Sequence, residues 1–164
     1  MTKWLATTIL AAMMVAALAS AFVRADDTQP SRPSLKGIAA VNVLVEELPA
    51  SVEALGLTDE SIRADVEPKL RQAGIRVVTQ KERLQLPGAP YLYVNVNVGR
   101  LAATIHVELR QNAFLERNGE IAPGVPTWSV DVLMEHVTGQ AIRDMIKENV
   151  DRFVKAWLSV NPKK

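Results

Sequence analysis

The chain has 164 residues, of which 19 are Lys or Arg and 18 are Asp or Glu, and it contains no cysteine. The near balance of charges gives no sign of the basic face that a nucleic-acid partner would need, so no such partner is predicted. The absence of cysteine excludes a disulfide-stabilised fold, a cysteine nucleophile and a lipid-modified cysteine at a cleavage site. The chain is long enough for one domain whose core needs no covalent crosslinks.

The first 25 residues have the pattern of a secretory signal peptide. Lys3 provides a positive charge, and an apolar stretch follows over residues 4–19. Small-residue cleavage sites end at Ala21 and at Ala25, and we favour Ala25 because the chain becomes polar directly after it. The alternative is an uncleaved anchor, since residues 5–23 are about long enough to cross a bilayer. The alanine-rich composition favours cleavage, and so a periplasmic or secreted protein that has no membrane attachment afterwards.

The remaining chain divides into a linker, one domain and a short tail. Residues 26–36 contain Pro30 and Pro33 among serines and other polar residues, which predicts a flexible linker. Residues 37–161 form a single domain, and residues 162–164 form the tail.

The first half of the domain alternates strands and helices. Residues 38–46 are largely apolar on both faces, which is typical of a strand covered on both sides. Thr58 is a suitable N-cap and Gly74 a suitable C′ residue, so a helix is predicted between them. Residues 75–78 form a second strand and complete a right-handed βαβ unit. A capping box at residues 79–82 then begins a short second helix.

Pro68 lies inside the first predicted helix. Proline has no N–H to donate to the carbonyl of Ala64, and its ring crowds that carbonyl. We therefore expect a kink or a break of the helix near residues 64–67.

The second half begins with the strand of residues 91–98, in which apolar and polar residues alternate strictly. A turn leads to a strand over residues 103–110, which pairs with the first as an antiparallel hairpin and ends or bulges near Gln111. Residues 117–126 contain Pro and Gly and predict a loop. Residues 128–134 then form a fifth strand.

The last predicted element is a helix over residues 140–160. One face carries an apolar stripe wide enough to cover a sheet: Ile142, Met145, Ile146, Val150, Phe153, Val154 and Trp157. The element order is therefore β-α-β-α-β-β-β-α. It predicts an α+β fold in which the helices pack mainly on one face of a five-stranded mixed sheet.

Several segments together resemble a family of exported bacterial proteins of unknown function. The segments are residues 56–58, 70–75, 91–94, 127–128 and 157–163, and the resemblance covers most of the mature chain. It implies a secreted or periplasmic domain and implies no activity. The element order is also similar to small α+β domains of periplasmic assembly proteins, such as the N-terminal domain of the translocation protein TolB, as an analogy of fold alone.

No metal, cofactor or catalytic site is predicted. The two histidines, His106 and His136, fall on opposite faces of their strands and so cannot share a metal ion. Ser129 and Asp131 lie two residues apart on an outward face, and we expect no histidine in phase with them. The sequence has no phosphate-binding loop, dinucleotide fingerprint or nucleophile elbow.

The best candidate site is a strip of polar and aromatic side chains on the outward face of the hairpin: Tyr91, Tyr93, Asn95, Asn97, His106, Glu108 and Arg110. Such a face suits a polar ligand or a peptide. The leading hypothesis is a non-enzymatic domain that binds a protein or peptide partner in the cell envelope. The alternatives are a hydrolase or metal-dependent enzyme, and a structural domain that self-associates. The sequence leaves the oligomeric state open.

Four apolar residues lie in or near the predicted loop: Phe114, Leu115, Ile121 and Val125. If they were exposed together, they would form a contact patch. We favour the alternative that they fold over a sheet edge and belong to the core.

Overall fold

The structure is a computed structural model that describes residues 23–24 and 31–162. Of the predicted signal peptide of residues 1–25, the structure describes only residues 23 and 24. The bonds predicted to be cleaved, after Ala21 and after Ala25, involve residues outside the described ones. Of the predicted tail, only Pro162 is described. Within the described parts of the chain, no helix is both long enough and apolar enough to cross a membrane.

Among the described residues, six strands form one sheet. They are β1 (Val23–Arg24), β2 (Ala40–Val45), β3 (Arg76–Val77), β4 (Tyr91–Val98), β5 (Ala103–Leu115) and β6 (Glu120–Met134). The spatial order is β1-β6-β5-β4-β2-β3. Strand β2 runs parallel to β3 and β4, and the other neighbours are antiparallel. The predicted α+β fold with a five-stranded mixed sheet is confirmed, and β1 adds a two-residue strand at one edge.

Four α-helices and one 3-10 helix are described: the 3-10 helix Arg32–Leu35, α1 (Ala50–Glu53), α2 (Asp59–Ala73), α3 (Gln80–Arg83) and α4 (Gly139–Val160). The predicted ends of α2 are confirmed. The hydroxyl of Thr58 accepts a hydrogen bond from the backbone of Ser61, and Gly74 has a φ of 98°, which favours glycine. The single-turn helix α1 is an addition to the predicted elements.

Of the kink or break expected near residues 64–67, the break is wrong, because α2 runs continuously through Pro68. Pro68 and Ala64 are both exposed to solvent. The Ala64 carbonyl, which proline leaves without its usual donor, can therefore bond to water. The buried residues of α2, among them Val66 and Leu70, keep their positions on the opposite side.

Strand β6 begins at Glu120, so the predicted loop over residues 117–126 is wrong for most of its length. Two shifts of register in the β5–β6 pairing, one of them beside Gln111, accommodate the extra residues. The expected bulge near Gln111 is confirmed. Because β4 pairs with β5 only as far as Arg110, residues 111–125 continue as a two-stranded extension, which we call the hairpin extension.

The core lies between one face of the sheet and the helices α2 and α4. The sheet contributes the buried alternate residues of its strands: Leu92, Val94 and Val96, Ile105, Val107 and Leu109, and Trp128, Val130 and Val132. The ring of Trp128 meets Phe153 of α4 edge-on, with 5.3 Å between centroids. An ion pair between Arg143 and Asp65, at 2.7 Å, joins α4 to α2. The opposite face of the sheet is left for polar side chains.

The folded domain extends beyond its predicted boundary at residue 37. Leu35 is fully buried, and its carbonyl accepts a hydrogen bond from the side chain of Asn161. The indole N–H of Trp157 donates to the carbonyl of Ile38 at 2.8 Å. The end of α4 is thus fastened to the segment that precedes β2.

Replacing Trp157 with alanine should lower the free energy of unfolding by about 3–5 kcal/mol, because the change removes a buried ring and leaves a cavity. Trp157 is only 8% exposed. The matched control is Lys155→Ala, at an exposed position of the same helix. Urea unfolding of both variants measures the difference. An unchanged midpoint for Trp157→Ala would contradict the role of α4 as a cover of the core.

Candidate binding face

All seven residues of the predicted strip lie on the face of the sheet opposite α2 and α4, which we call the open face. In β4, Leu92, Val94 and Val96 are buried toward the helices, and the residues between them point the other way. Strand β5 alternates in the same manner. The period of two therefore separates core side chains from open-face side chains.

The register of the hairpin places the two halves of the strip directly opposite each other. The cross-strand pairs are Tyr91 with Arg110, Tyr93 with Glu108, Asn95 with His106 and Asn97 with Thr104. Directly opposite residues on one face are close enough for their side chains to interact. The strip is therefore one contiguous surface built from two strands.

Arg110 organises the centre of the open face. Its Nε donates to Glu108 Oε2 at 2.6 Å, and its guanidinium lies 4.1 Å from the centroid of the Tyr93 ring. The charge-assisted bond and the cation–π contact fix the three side chains relative to one another. The centre of the face is thus arranged before any ligand arrives.

The environment of Tyr93 keeps its hydroxyl protonated. Burial, followed by a hydrogen bond to Glu46 and the charge of that carboxylate, raises the pKa of Tyr93 to about 12. The neutral phenol can donate a hydrogen bond throughout the physiological pH range.

His106 has a partner that the sequence analysis missed. Its Nδ1 lies 2.7 Å from Oδ1 of Asp131 on β6, and the two side chains are 35% and 43% exposed. The expectation that Ser129 and Asp131 have no histidine in phase is wrong, because Asp131 pairs directly with His106 in the β5–β6 register. Knowing the register of that hairpin would have revealed the contact.

Among the described residues, this pair lacks the serine contact of a catalytic triad. An activated serine needs a hydrogen bond to the histidine that removes its proton. Within the described chain, Ser129 makes no hydrogen bond to His106. No group of three His, Cys, Asp or Glu residues in the described parts is arranged to hold a metal ion. His136 is exposed and follows the end of β6.

A groove of about 390 Å³ lies at one end of the open face. We call it the Arg83 groove, and its lining residues are Arg83, Leu84, Ala89, Tyr91, Asn112, Pro123 and Gly124. Tyr91 belongs both to the groove and to the open face. A Cβ atom at Gly124 would lie 3.0 Å from the Tyr91 hydroxyl oxygen, so glycine lets the hairpin extension approach this ring closely.

The expectation that the apolar residues near the hairpin turn belong to the core is wrong for two of them. Phe114 is 69% exposed and Ile121 is 67% exposed. They are direct partners across β5 and β6 in the hairpin extension. Leu115 and Val125 are half-buried. Phe114 and Ile121 therefore form a small apolar patch.

No protein-family model and no curated protein matches the chain. Solved structures with a similar course of the chain include the PelC dodecamer from Paraburkholderia phytofirmans, at 15% sequence identity and a TM-score of 0.43. The match covers 74% of this chain and 87% of the PelC chain. A single-residue variant of PelC from the same organism matches at 13% identity and a TM-score of 0.43, covering 74% and 89%. A likeness at this level carries no statement about the function of this chain.

The raised pKa of Tyr93 gives a direct test of the open face. The chain has two tyrosines, so Tyr91→Phe leaves Tyr93 as the one phenol to titrate by NMR. We expect a midpoint near 12. Glu46→Gln should lower the midpoint, although not to the usual value of about 10, because the burial remains. Stability contributed by Tyr93 is complete below pH ~10 and is lost as the pH rises through ~12. A midpoint of ~10 in the folded protein would contradict this environment.

Proposed function

We propose that this protein is an exported, non-enzymatic domain that binds a protein or peptide partner in the cell envelope through its open face. The observation that carries the proposal is the contiguous strip of fixed yet accessible polar and aromatic side chains. His106 and Arg110 are 35% and 31% exposed although each is held by a carboxylate. Side chains that are already oriented lose less conformational entropy when they bind.

The composition of the open face suits a peptide or protein surface. Tyr93 offers a broad ring with a hydroxyl, and two tyrosines on a rigid sheet provide contact area at a low cost in entropy. Asn95 and Asn97 are linked by an amide–amide hydrogen bond of 2.5 Å and present further donors and acceptors. The N–H and C=O groups of a peptide can form hydrogen bonds with such side-chain acceptors and donors.

The location in the envelope rests on the sequence. The N-terminal pattern of a positive charge, an apolar stretch and small-residue cleavage sites supports export. The resemblance to a family of exported bacterial proteins, and the looser likeness of element order to the TolB N-terminal domain, support the same location.

Two rival functions predict different properties of the purified protein. A self-associating structural domain, which the exposed pair Phe114 and Ile121 would serve, predicts a mass that rises with concentration. A metal-dependent enzyme predicts metal at a fixed ratio to protein. A binding domain predicts neither property, so light scattering and elemental analysis separate it from self-association and from the metal-dependent branch of the enzyme alternative.

The test uses this protein, released from cells by osmotic shock, to capture a partner from native envelope extract. The intact mass of this protein should correspond to a start near Asp26, so that the edge strand β1 is removed with the signal peptide. We expect Tyr93→Ala to reduce capture at least about tenfold, since it removes the central ring and its contact with Arg110. Tyr93→Phe retains the ring but lacks the hydroxyl, so it should capture more than Tyr93→Ala does. Lys155→Ala, on the exposed side of α4, should capture normally.

Equal capture by Tyr93→Ala and the unaltered protein would contradict the proposal, provided that both unfold at the same urea concentration. If Lys155→Ala lost capture instead, the binding surface would lie on the helical side of the domain. If the protein were found in a membrane fraction with Met1 still attached, cleavage would be contradicted and the uncleaved N-terminal anchor would be favoured.

A further inference from the structure

We propose that the Arg83 groove binds a carboxylate of an acidic peptide partner. This inference rests on the proposed function, because it treats the groove as the end of the open face where a side chain of the partner is recognised.

Among the described residues, Arg83 is held in place by neutral groups. Its Nε donates to the amide oxygen of Gln80 at 3.1 Å, and its Nη1 donates to the carbonyl of Ala89 at 2.7 Å. Its guanidinium lies 4.6 Å from the centroid of the Tyr91 ring. The cation is therefore oriented, and its charge is not compensated by any of these partners.

Five other arginines of the domain behave differently. Arg63, Arg71, Arg110, Arg143 and Arg152 each form an ion pair with a carboxylate, namely Asp59, Glu67, Glu108, Asp65 and Glu148. Arg83 is half-buried like several of these residues, but it faces a groove. A fixed and uncompensated guanidinium that lines a groove is suited to an anion.

The remaining groups of the groove favour a single carboxylate on an apolar stem. Asn112 Oδ1 accepts from the backbone N–H of Gly124 at 3.2 Å, which orients the side-chain amide and leaves its NH₂ group as a possible donor in the groove that Arg83 also lines. Leu84, which is 59% exposed, and Pro123 provide apolar walls. Glutamate combines a short methylene stem with a monoanion, and its stem can pack on such walls.

The probes are acetylated, amidated tetraglutamate, the corresponding tetraglutamine peptide and trigalacturonic acid, each titrated into isotope-labelled protein at low salt. Backbone amide shifts of Asn112 and Gly124 report on the groove. We expect saturable shifts with tetraglutamate and none with tetraglutamine. Arg83→Gln should weaken binding at least about tenfold, the equivalent of one charge-assisted hydrogen bond.

Arg83 also bonds to the chain at Ala89, so a second variant separates recognition from folding. Leu84→Glu places a negative charge on the groove wall at an exposed position and removes none of the hydrogen-bond partners of Arg83. It should abolish binding of tetraglutamate. The matched controls are Arg100→Gln, at the far end of β4, and Leu101→Glu, at a position that is 79% exposed. Both should bind as the unaltered protein does.

Unchanged tetraglutamate affinity in both Arg83→Gln and Leu84→Glu would overturn the inference. If tetraglutamine bound as tightly as tetraglutamate, the inference that the groove recognises a carboxylate would be overturned. If only trigalacturonic acid bound, the inference that the partner is a peptide would be overturned. Envelope capture that depends on Tyr93 but not on Arg83 would overturn this inference and leave the proposed function standing. Capture that is indifferent to Tyr93 would instead count against the proposed function itself.

Discussion

Burial of one face of the sheet under α2 and α4 is the constraint on which the rest of the structure depends. Leu92, Val94 and Val96 must point toward the helices, and the period of two then sends their neighbours to the open face. A shift of one residue in β4 would exchange the two sets and bury the polar side chains. The arrangement of the candidate site is therefore a consequence of how the core is packed.

This dependence explains how much could be predicted from the sequence. The strict alternation of apolar and polar residues in β4 and β5 is enough to assign the open face. The capping residues Thr58 and Gly74 are enough to define the two ends of α2. The partner of His106 could not be predicted, because two register shifts lie between the hairpin turn and Asp131. Pro123, Gly124 and Pro126 suggested a loop, yet a strand at a bulged pairing tolerates proline where no ladder hydrogen bond is needed.

Other features depend on tertiary contacts that leave no local pattern. Pro68 is compatible with a continuous helix because it faces water, and only the orientation of α2 in the fold reveals that. Arg83 becomes a candidate anion site through Ala89 and Tyr91, which surround it only in the folded chain. Asn149 is fully buried in α4, and among the described residues neither of its polar side-chain atoms has a hydrogen-bond partner.

The central claim is that binding takes place on the open face while the helical face serves the core. The most direct measurement is photo-crosslinking in intact cells, with a benzophenone amino acid placed at one exposed position of each face. Asn97 lies on the open face and Lys155 on the solvent side of α4. The account predicts light-dependent crosslinks to an envelope protein from position 97 and none from position 155. Crosslinks from position 155 without any from position 97 would contradict it.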